Sequence, residues 1–389
     1  MDPAEAAAAY LTSVFERMGV PCRVSNTPEK GKHVVATADI PAQSDLFEEA
    51  PIVSWPAQSY VEIGIPFCSH CLRQQRKIDA TRGSRGRGTW STCNGCGSFF
   101  CSDICESSSR TAHRILCCVL KELREEKVNA NLCTDSVDDT RYKPITKESL
   151  ARCVAWIVSR IATSIQQQKF SGKVLGEHHN ENGESIARQL FHIATAPFNR
   201  LIDVPRGTEF ADVDAAAWYR TVDELLREPC RAALLGAAAQ PSADGDVWAE
   251  EIVDALLRHD TLESLLGQMT LNAQALNSFL LFSPSSGGAP SSATPPAEWV
   301  LKGGGVYTLQ SAFNHSCRPN VIVSAMDGTH DITLRTLRPV KNGEELTITY
   351  IPLKDTTREK RHALLRGYFF TCHCPLCKEE ETATDASNA

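Results

Sequence analysis

Nowhere in its 389 residues does this chain run through eighteen consecutive apolar residues, so no membrane-spanning helix is expected. It has no surplus of positive charge either. Forty Lys and Arg stand against 47 Asp and Glu, a formal net charge of −7. A surface of that balance does not suit a nucleic-acid binder, except through a local basic patch. The first residues, MDPAEAAAAYL, lack the basic start of a secretory signal, and no export is expected. Tandem repeats are missing as well. Core-forming residues are not scarce: 42% are hydrophobic and 22% charged, as in an ordinary globular protein of one large domain or two to three small ones.

Cysteine is what the chain has in plenty, with 16. Without an export signal, their spacing points to metal in a reducing compartment, cytoplasm or nucleus, rather than to disulfides. Eleven of them and one histidine fall into three sets of four. The first is Cys68-x2-Cys71 with Cys101-x3-Cys105. The second is Cys93-x2-Cys96 with His113-x3-Cys117. The third joins Cys317 to Cys372, Cys374 and Cys377. Two thiolates separated by a two-residue turn both reach one tetrahedral ion, and two such pairs close its coordination sphere. The first two sets interleave in a cross-braced module. His113-x4-Cys118 is also geometrically allowed, an ambiguity beside the Cys117 assignment. Cys22, Cys133, Cys153 and Cys230 are isolated and read as buried free thiols. His373 lies between ligands and reads as exposed.

Hydrophobic periodicity predicts a helix over 5–18 with Tyr10, Leu11, Val14, Phe15 and Met18 on one stripe. Strands are predicted at 21–25, 33–38 and 45–53. Residues 145–282 are predicted mostly helical, with stripes such as Leu150, Val154, Ile157 and Ile161, and Val247, Ile252, Val253 and Leu256. The run 283–297, SPSSGGAPSSATPPA, reads as a flexible loop. Strands follow at 321–325, 332–337 and 346–350, with Asp327-Gly328 and Asn342-Gly343 as turns between them, then a helix over 356–368. The basic stretch 73–90 reads as a solvated loop, with an acidic partner as the sharper alternative.

The eight interleaved ligands, FFCSDIC and the closing His-x3-Cys resemble a MYND finger. NHSCRPN at 314–320, GEELTITY ending at Tyr350, the following CHCPLC and EKGKHVVAT at 29–37 together resemble the SET domain of protein-lysine methyltransferases. A cysteine module inserted after the first SET strands resembles the SET and MYND domain-containing (SMYD) family. GGGVYTLQSAFNHSCRPN is most similar to its fifth branch. The resemblance spans about residues 27–377 and is weak over 120–260.

The resemblance implies an α+β fold: small SET β-sheets with a pseudoknot-like C-terminal part, an inserted zinc finger, a helical insert and a zinc-bound post-SET segment. Its parts would be residues 1–66 (first part of the SET domain), 67–118 (finger), 119–260 (helical insert), 261–350 (second part, with 283–297 the loop) and 351–389 (post-SET segment and tail). It implies S-adenosylmethionine-dependent methylation of lysine on histone or non-histone proteins, with three structural zinc ions. Protein substrates would be the partners, with a peptide at the finger; neither membrane nor nucleic acid is expected. Tyr350 would be catalytic. Lys30, Gly31, Lys32, Asn272, Asn314, His315 and Phe370 would hold the cofactor, and Tyr307 and Tyr368 would line the lysine channel. The alternative is a catalytically weak scaffold that binds proteins through its finger. One departure stands out. The family's G-x-G turn reads Gly31-Lys32-His33, so His33 is expected at positive φ and under strain.

Overall fold

The computed structural model describes residues 2–62, 64, 66–75, 90–124, 145–170, 186–210, 214–238, 245–280, 298–325 and 328–387. Most of the basic stretch, Cys133, Asp327 and the 283–297 run lie outside the described residues.

The first helix, α1 (Pro3–Met18), is capped by Asp2 and closed by Gly19 in the left-handed region at φ 68°. Its buried line is Ala8, Leu11 and Phe15, an i, i+3, i+7 series. Tyr10 and Met18, expected on that stripe, stand outside it at 40% and 45% exposure. Strands β1 (Cys22–Thr27) and β2 (Gly31–Ala36) form a hairpin in which Thr27 faces Gly31. The single strand expected over 45–53 is two, β3 (Asp45–Glu49) and β4 (Val53–Pro56). Pro51 falls in the break; with no N–H to donate, it suits neither ladder. A short helix, α2 (Gln58–Glu62), follows.

The cysteine module contains the two-residue strands β5 (Ser91–Thr92) and β6 (Phe99–Phe100), then α3 (Asp103–Cys117), N-capped by Ser102. Five further helices build the next layer after α4 (Leu120–Arg124): α5 (Lys147–Phe170), α6 (Ile186–Thr195), α7 (Ala215–Ala237), α8 (Gly245–Leu257) and α9 (His259–Asn272). Leu150, Val154, Ile157, Val158 and Ile161 of α5 are fully buried in one helical core. Of the stripe expected on α8, Ile252, Val253 and Leu256 are buried, whereas Val247 is 67% exposed. Glu148 of α5 joins Arg124 to Arg152, and Arg152 donates to the carbonyl of Ser69 at 3.0 Å. Ser69 sits between Cys68 and Cys71, so this buried charge network ties the finger to the helices.

The helical expectation fails beyond α9. Residues Ala273–Leu280 are a strand, β7, paired antiparallel with β8 (Glu298–Val306). Here tertiary pairing overrides local pattern. Strand β8 also pairs with β4, and Gly303 is what permits it: an added Cβ would lie 2.1 Å from the Trp55 carbonyl. The remaining strands are β9 (Asn314–His315), β10 (Val321–Ala325), β11 (Ile332–Thr336) and β12 (Glu345–Ile348). One sheet runs β1-β2-β12-β9 and another β10-β11-β3. The chain leaves β9, traverses β10 and β11, and returns as β12 between β2 and β9. The β9–β12 pair is parallel, with Ile348 opposite His315. That return brings the NHSC segment, the Gly31 turn and the end of GEELTITY to one place. Helices α10 (Arg358–Leu365) and α11 (Pro375–Ser387) flank Cys372 and Cys374, and Cys377 lies in the first turn of α11.

Candidate active site and metal centres

Strand β12 organises the site. Its Glu345 accepts from Lys30 at 2.6 Å and from the Asn314 amide at 3.3 Å. The same amide donates to the Lys30 carbonyl at 3.1 Å. Asn320, the last residue of NHSCRPN, fastens the strand: it donates to the Glu345 carbonyl at 2.8 Å and accepts from the Thr347 N–H at 2.8 Å. Asn314 and the Gly31 turn are thus held face to face by backbone-directed bonds.

His315 is buried, and its two ring nitrogens have distinct tasks. Nδ1 accepts from the Tyr350 N–H at 3.0 Å, so Nε2 carries the proton and faces Cys317 Sγ at 3.3 Å. The Tyr350 hydroxyl donates to the Phe313 carbonyl at 2.6 Å. With its proton committed there, the oxygen's lone pairs are left for an incoming group. Burial pushes the phenol well above its usual range, with Tyr368 and Glu345 adding to it, so Tyr350 stays protonated at neutral pH. Around it stand the rings of Tyr368, His315 and Phe370, with centroids 5.0, 5.4 and 6.4 Å away. Phe370 is 37% exposed and forms the outer edge.

Tyr307 departs from expectation. Its ring is fully buried and its hydroxyl donates to the His330 carbonyl. A side chain with no exposed face lines no open channel, so the role assigned to it by resemblance is corrected to a core role. His33 is corrected too. The left-handed residue of the turn is Gly31 at φ 61°; His33 lies within β2 opposite Ser25, and its buried ring contacts the Gly31 carbonyl through Nδ1 at 2.9 Å. One glycine makes this turn, and no strain resides in His33.

Lys32 and Asn272 meet at a segment that sequence reasoning missed. The Lys32 ammonium donates to the Arg200 carbonyl at 2.8 Å, and the Asn272 amide to the Ile202 carbonyl at 2.7 Å and the Gln268 carbonyl at 2.7 Å. Burial pushes Lys32 down to about 8. Among the described residues no carboxylate pairs with it. A largely buried ammonium facing one neutral carbonyl fits an anionic ligand group beside the Gly31 turn. The carboxylate of S-adenosylmethionine is such a group.

Glu49 was also missed. Its two carboxylate oxygens accept from the N–H groups of Leu309 at 2.7 Å and Gln310 at 2.9 Å, at the start of the short turn (Gln310–Ala312) that leads into Phe313 and Asn314. Burial raises its carboxyl to about 7 despite these bonds. The only sequence signal was an acidic residue closing a strand before Ala50-Pro51.

The twelve metal-ligand candidates assemble in three groups: Cys68, Cys71, Cys101 and Cys105; Cys93, Cys96, His113 and Cys117; Cys317, Cys372, Cys374 and Cys377. In each, all four ligand atoms lie within 4.8 Å of one another. Tetrahedral zinc with Zn–S near 2.3 Å sets sulfurs about 3.8 Å apart. The structure has Cys71–Cys101 at 3.6 Å, Cys93–Cys117 at 3.6 Å and Cys317–Cys377 at 3.6 Å. The donor sets and spacings fit zinc. Cys117, not the exposed Cys118, completes the second group. His373 is exposed and outside the third. Beside that third group, buried Arg361 pairs through Nη2 with Glu380 and also lies 3.9 Å from Cys377 Sγ. Cys22, Cys153 and Cys230 are free and buried; burial raises Cys22 and Cys230 to about 12.

The profile of the SET domain matches residues 31–351, most of the chain. The chain belongs to the SET domain family. Its relatives sharpen this. A SET and MYND domain-containing protein of Dictyostelium discoideum is 25% identical over 371 residues, covering 93% of this chain and 60% of that protein. The chicken (Gallus gallus) protein-lysine N-trimethyltransferase SMYD5 is 24% identical over 396 residues, covering 92% and 86%. The Arabidopsis thaliana histone-lysine N-methyltransferase ASHR2 is 23% identical over 365 residues, covering 92% and 72%. These relatives, the SET match and the cysteine groups together support the SMYD family. Among the described residues no helix is long and apolar enough to cross a membrane.

Proposed function

We propose that this SET-domain chain transfers methyl groups from S-adenosylmethionine to lysine side chains of proteins, histone or non-histone. The observation that carries the reading is Tyr350: a protonated, oriented phenol within an aromatic cluster, just past a strand flanked by those that bear an asparagine and a half-buried lysine suited to the cofactor. S-adenosylmethionine supplies an activated methyl on a good leaving group. The protein's task is alignment, exclusion of water and acceptance of a lysine in its neutral form. Asn314, His315 and the turn of Lys30, Gly31 and Lys32 would position the cofactor, and Phe370 would cover its adenine. Tyr350 would direct its lone pairs at the lysine amine and the methyl C–H groups. Tyr368 would wall the channel; an aromatic face tolerates an ammonium while shedding water. Tyr350 lacks the depressed pKa of a general base, so the lysine proton leaves by solvent.

Three zinc ions would complete the molecule, each structural because four protein ligands leave no open position. The third would clamp the NHSC segment to the post-SET segment. We also propose the finger as a contact for a partner peptide, and cytoplasm or nucleus as the location.

The test is twofold. Calorimetry should detect S-adenosylmethionine binding, and mass spectrometry of a lysate treated with the protein and labelled cofactor should find label on lysine. No cofactor binding would favour the scaffold reading instead.

A further inference from the structure

Residues 201–204 follow the short helical turn Phe198–Arg200 and have no helix or strand of their own, yet four contacts hold the 200–204 run. The Lys32 ammonium holds the Arg200 carbonyl and the Asn272 amide holds the Ile202 carbonyl. Ser264 donates to Asp203 at 2.5 Å, and the Arg200 guanidinium lies 3.7 Å over the Tyr10 ring. Gly267 makes room: an added Cβ would stand 2.2 Å from Asp203 Oδ1 and 2.6 Å from Val204 Cγ2. These anchors come from β2, α1 and α9, all distant in sequence from residues 200–204.

The geometry points to residues 200–204 as a wall of the cofactor site contributed by the helical layer, with Lys32, Asn272 and Gly267 as positioning residues that seat it. The inference rests on the proposed cofactor. Lys32 is the hinge of the argument. It reaches the wall from the strand that begins at the Gly31 turn, and an ammonium has three N–H donors, of which the Arg200 carbonyl takes one. A ligand carboxylate on a remaining donor would keep the ammonium charged and in place, and so hold the wall. The cofactor's amino-acid end, not its adenine, would order the segment. The Asn272 amide, with both its donated bonds on backbone carbonyls, acts through the wall rather than on the cofactor.

Hydrogen exchange read by mass spectrometry on the full chain tests this. Saturating S-adenosylmethionine should slow exchange at 200–204 several-fold. Saturating 5′-methylthioadenosine, which keeps the adenosine and sulfur but lacks the amino-acid part, should not. Lys32→Met should still bind S-adenosylmethionine, several-fold more weakly, and lose the protection at 200–204 while retaining it around Asn314. Gly267→Ala should raise exchange there without ligand. If S-adenosylmethionine binds and exchange at 200–204 is unchanged, or if both ligands protect it equally, the wall is wrong while the proposed function stands. If S-adenosylmethionine does not bind, the proposed function falls and the wall with it.

Discussion

The backbone N–H of Tyr350 donates to Nδ1 of His315 at 3.0 Å, while the other nitrogen of that ring faces the metal-ligand candidate Cys317 at 3.3 Å. One imidazole thus links the phenol-bearing strand end to the third cysteine group. Loss of metal there should be felt at Tyr350 before it is felt in the fold. We expect Cys372→Ser to lose the third of the proposed zinc ions, abolish methyl transfer and leave the two proposed for the finger in place. Metal analysis with a parallel activity assay checks this; a variant with two ions and full turnover would break the link.

Lys32 gives a pH dependence. Its ammonium titrates near 8 in the folded protein, pushed down by burial. Only the charged form attracts a carboxylate. Affinity for S-adenosylmethionine should therefore hold below pH 7 and weaken as pH rises through 8. The cofactor's own amino group titrates nearby, at about 8, so the control is Lys32→Arg, which stays charged. The part of the pH dependence owed to Lys32 should vanish in that variant. Calorimetry from pH 6.5 to about 9 reads both.

The His33 result reverses what the motif alone suggests. With His33 buried in a strand and Gly31 alone at positive φ, His33→Gly relieves nothing. It removes a packed ring and adds backbone freedom. A loss of about 2 kcal/mol in stability is expected, read by denaturant unfolding. An unchanged or higher midpoint would restore the strain idea.

Glu49 bears on stability at mild acidity. Its folded pKa near 7 lies above the ordinary 4.5. The native state therefore binds more protons than the unfolded state between those values, and stability falls as pH rises from about 4.5 to 7. In Glu49→Gln that portion of the slope should disappear. Equal slopes in the two proteins would show that Glu49 titrates normally.

These cases show what the sequence carries. Ligand spacing announced the cysteine pairs and the Cys372, Cys374 and Cys377 cluster, because metal coordination favours short, fixed separations that survive in one dimension; Cys317, 55 residues before Cys372, joins them only across the fold. GEELTITY likewise placed β12, since it is a tight local pattern, whereas the two-residue strand β9 inside NHSCRPN was not expected. Contacts between distant segments were invisible. Nothing near Lys32 or Asn272 signals that both end on the 200–204 carbonyls, because a backbone carbonyl has no residue signature. β7 was hidden for a related reason: its strand character comes from β8 across a long intervening run. Tyr307 misled because motif position says nothing about which way a ring turns into a core.

The most direct measurement of the account is single-turnover methyl transfer by Tyr350→Phe beside the wild type, with cofactor affinity determined on the same samples. The hydroxyl is placed to act on amine and methyl, so its removal should slow transfer at least about a hundredfold while affinity for S-adenosylmethionine changes less than about threefold. Full-rate transfer by Tyr350→Phe, with the cofactor bound normally, would contradict the assignment of this site.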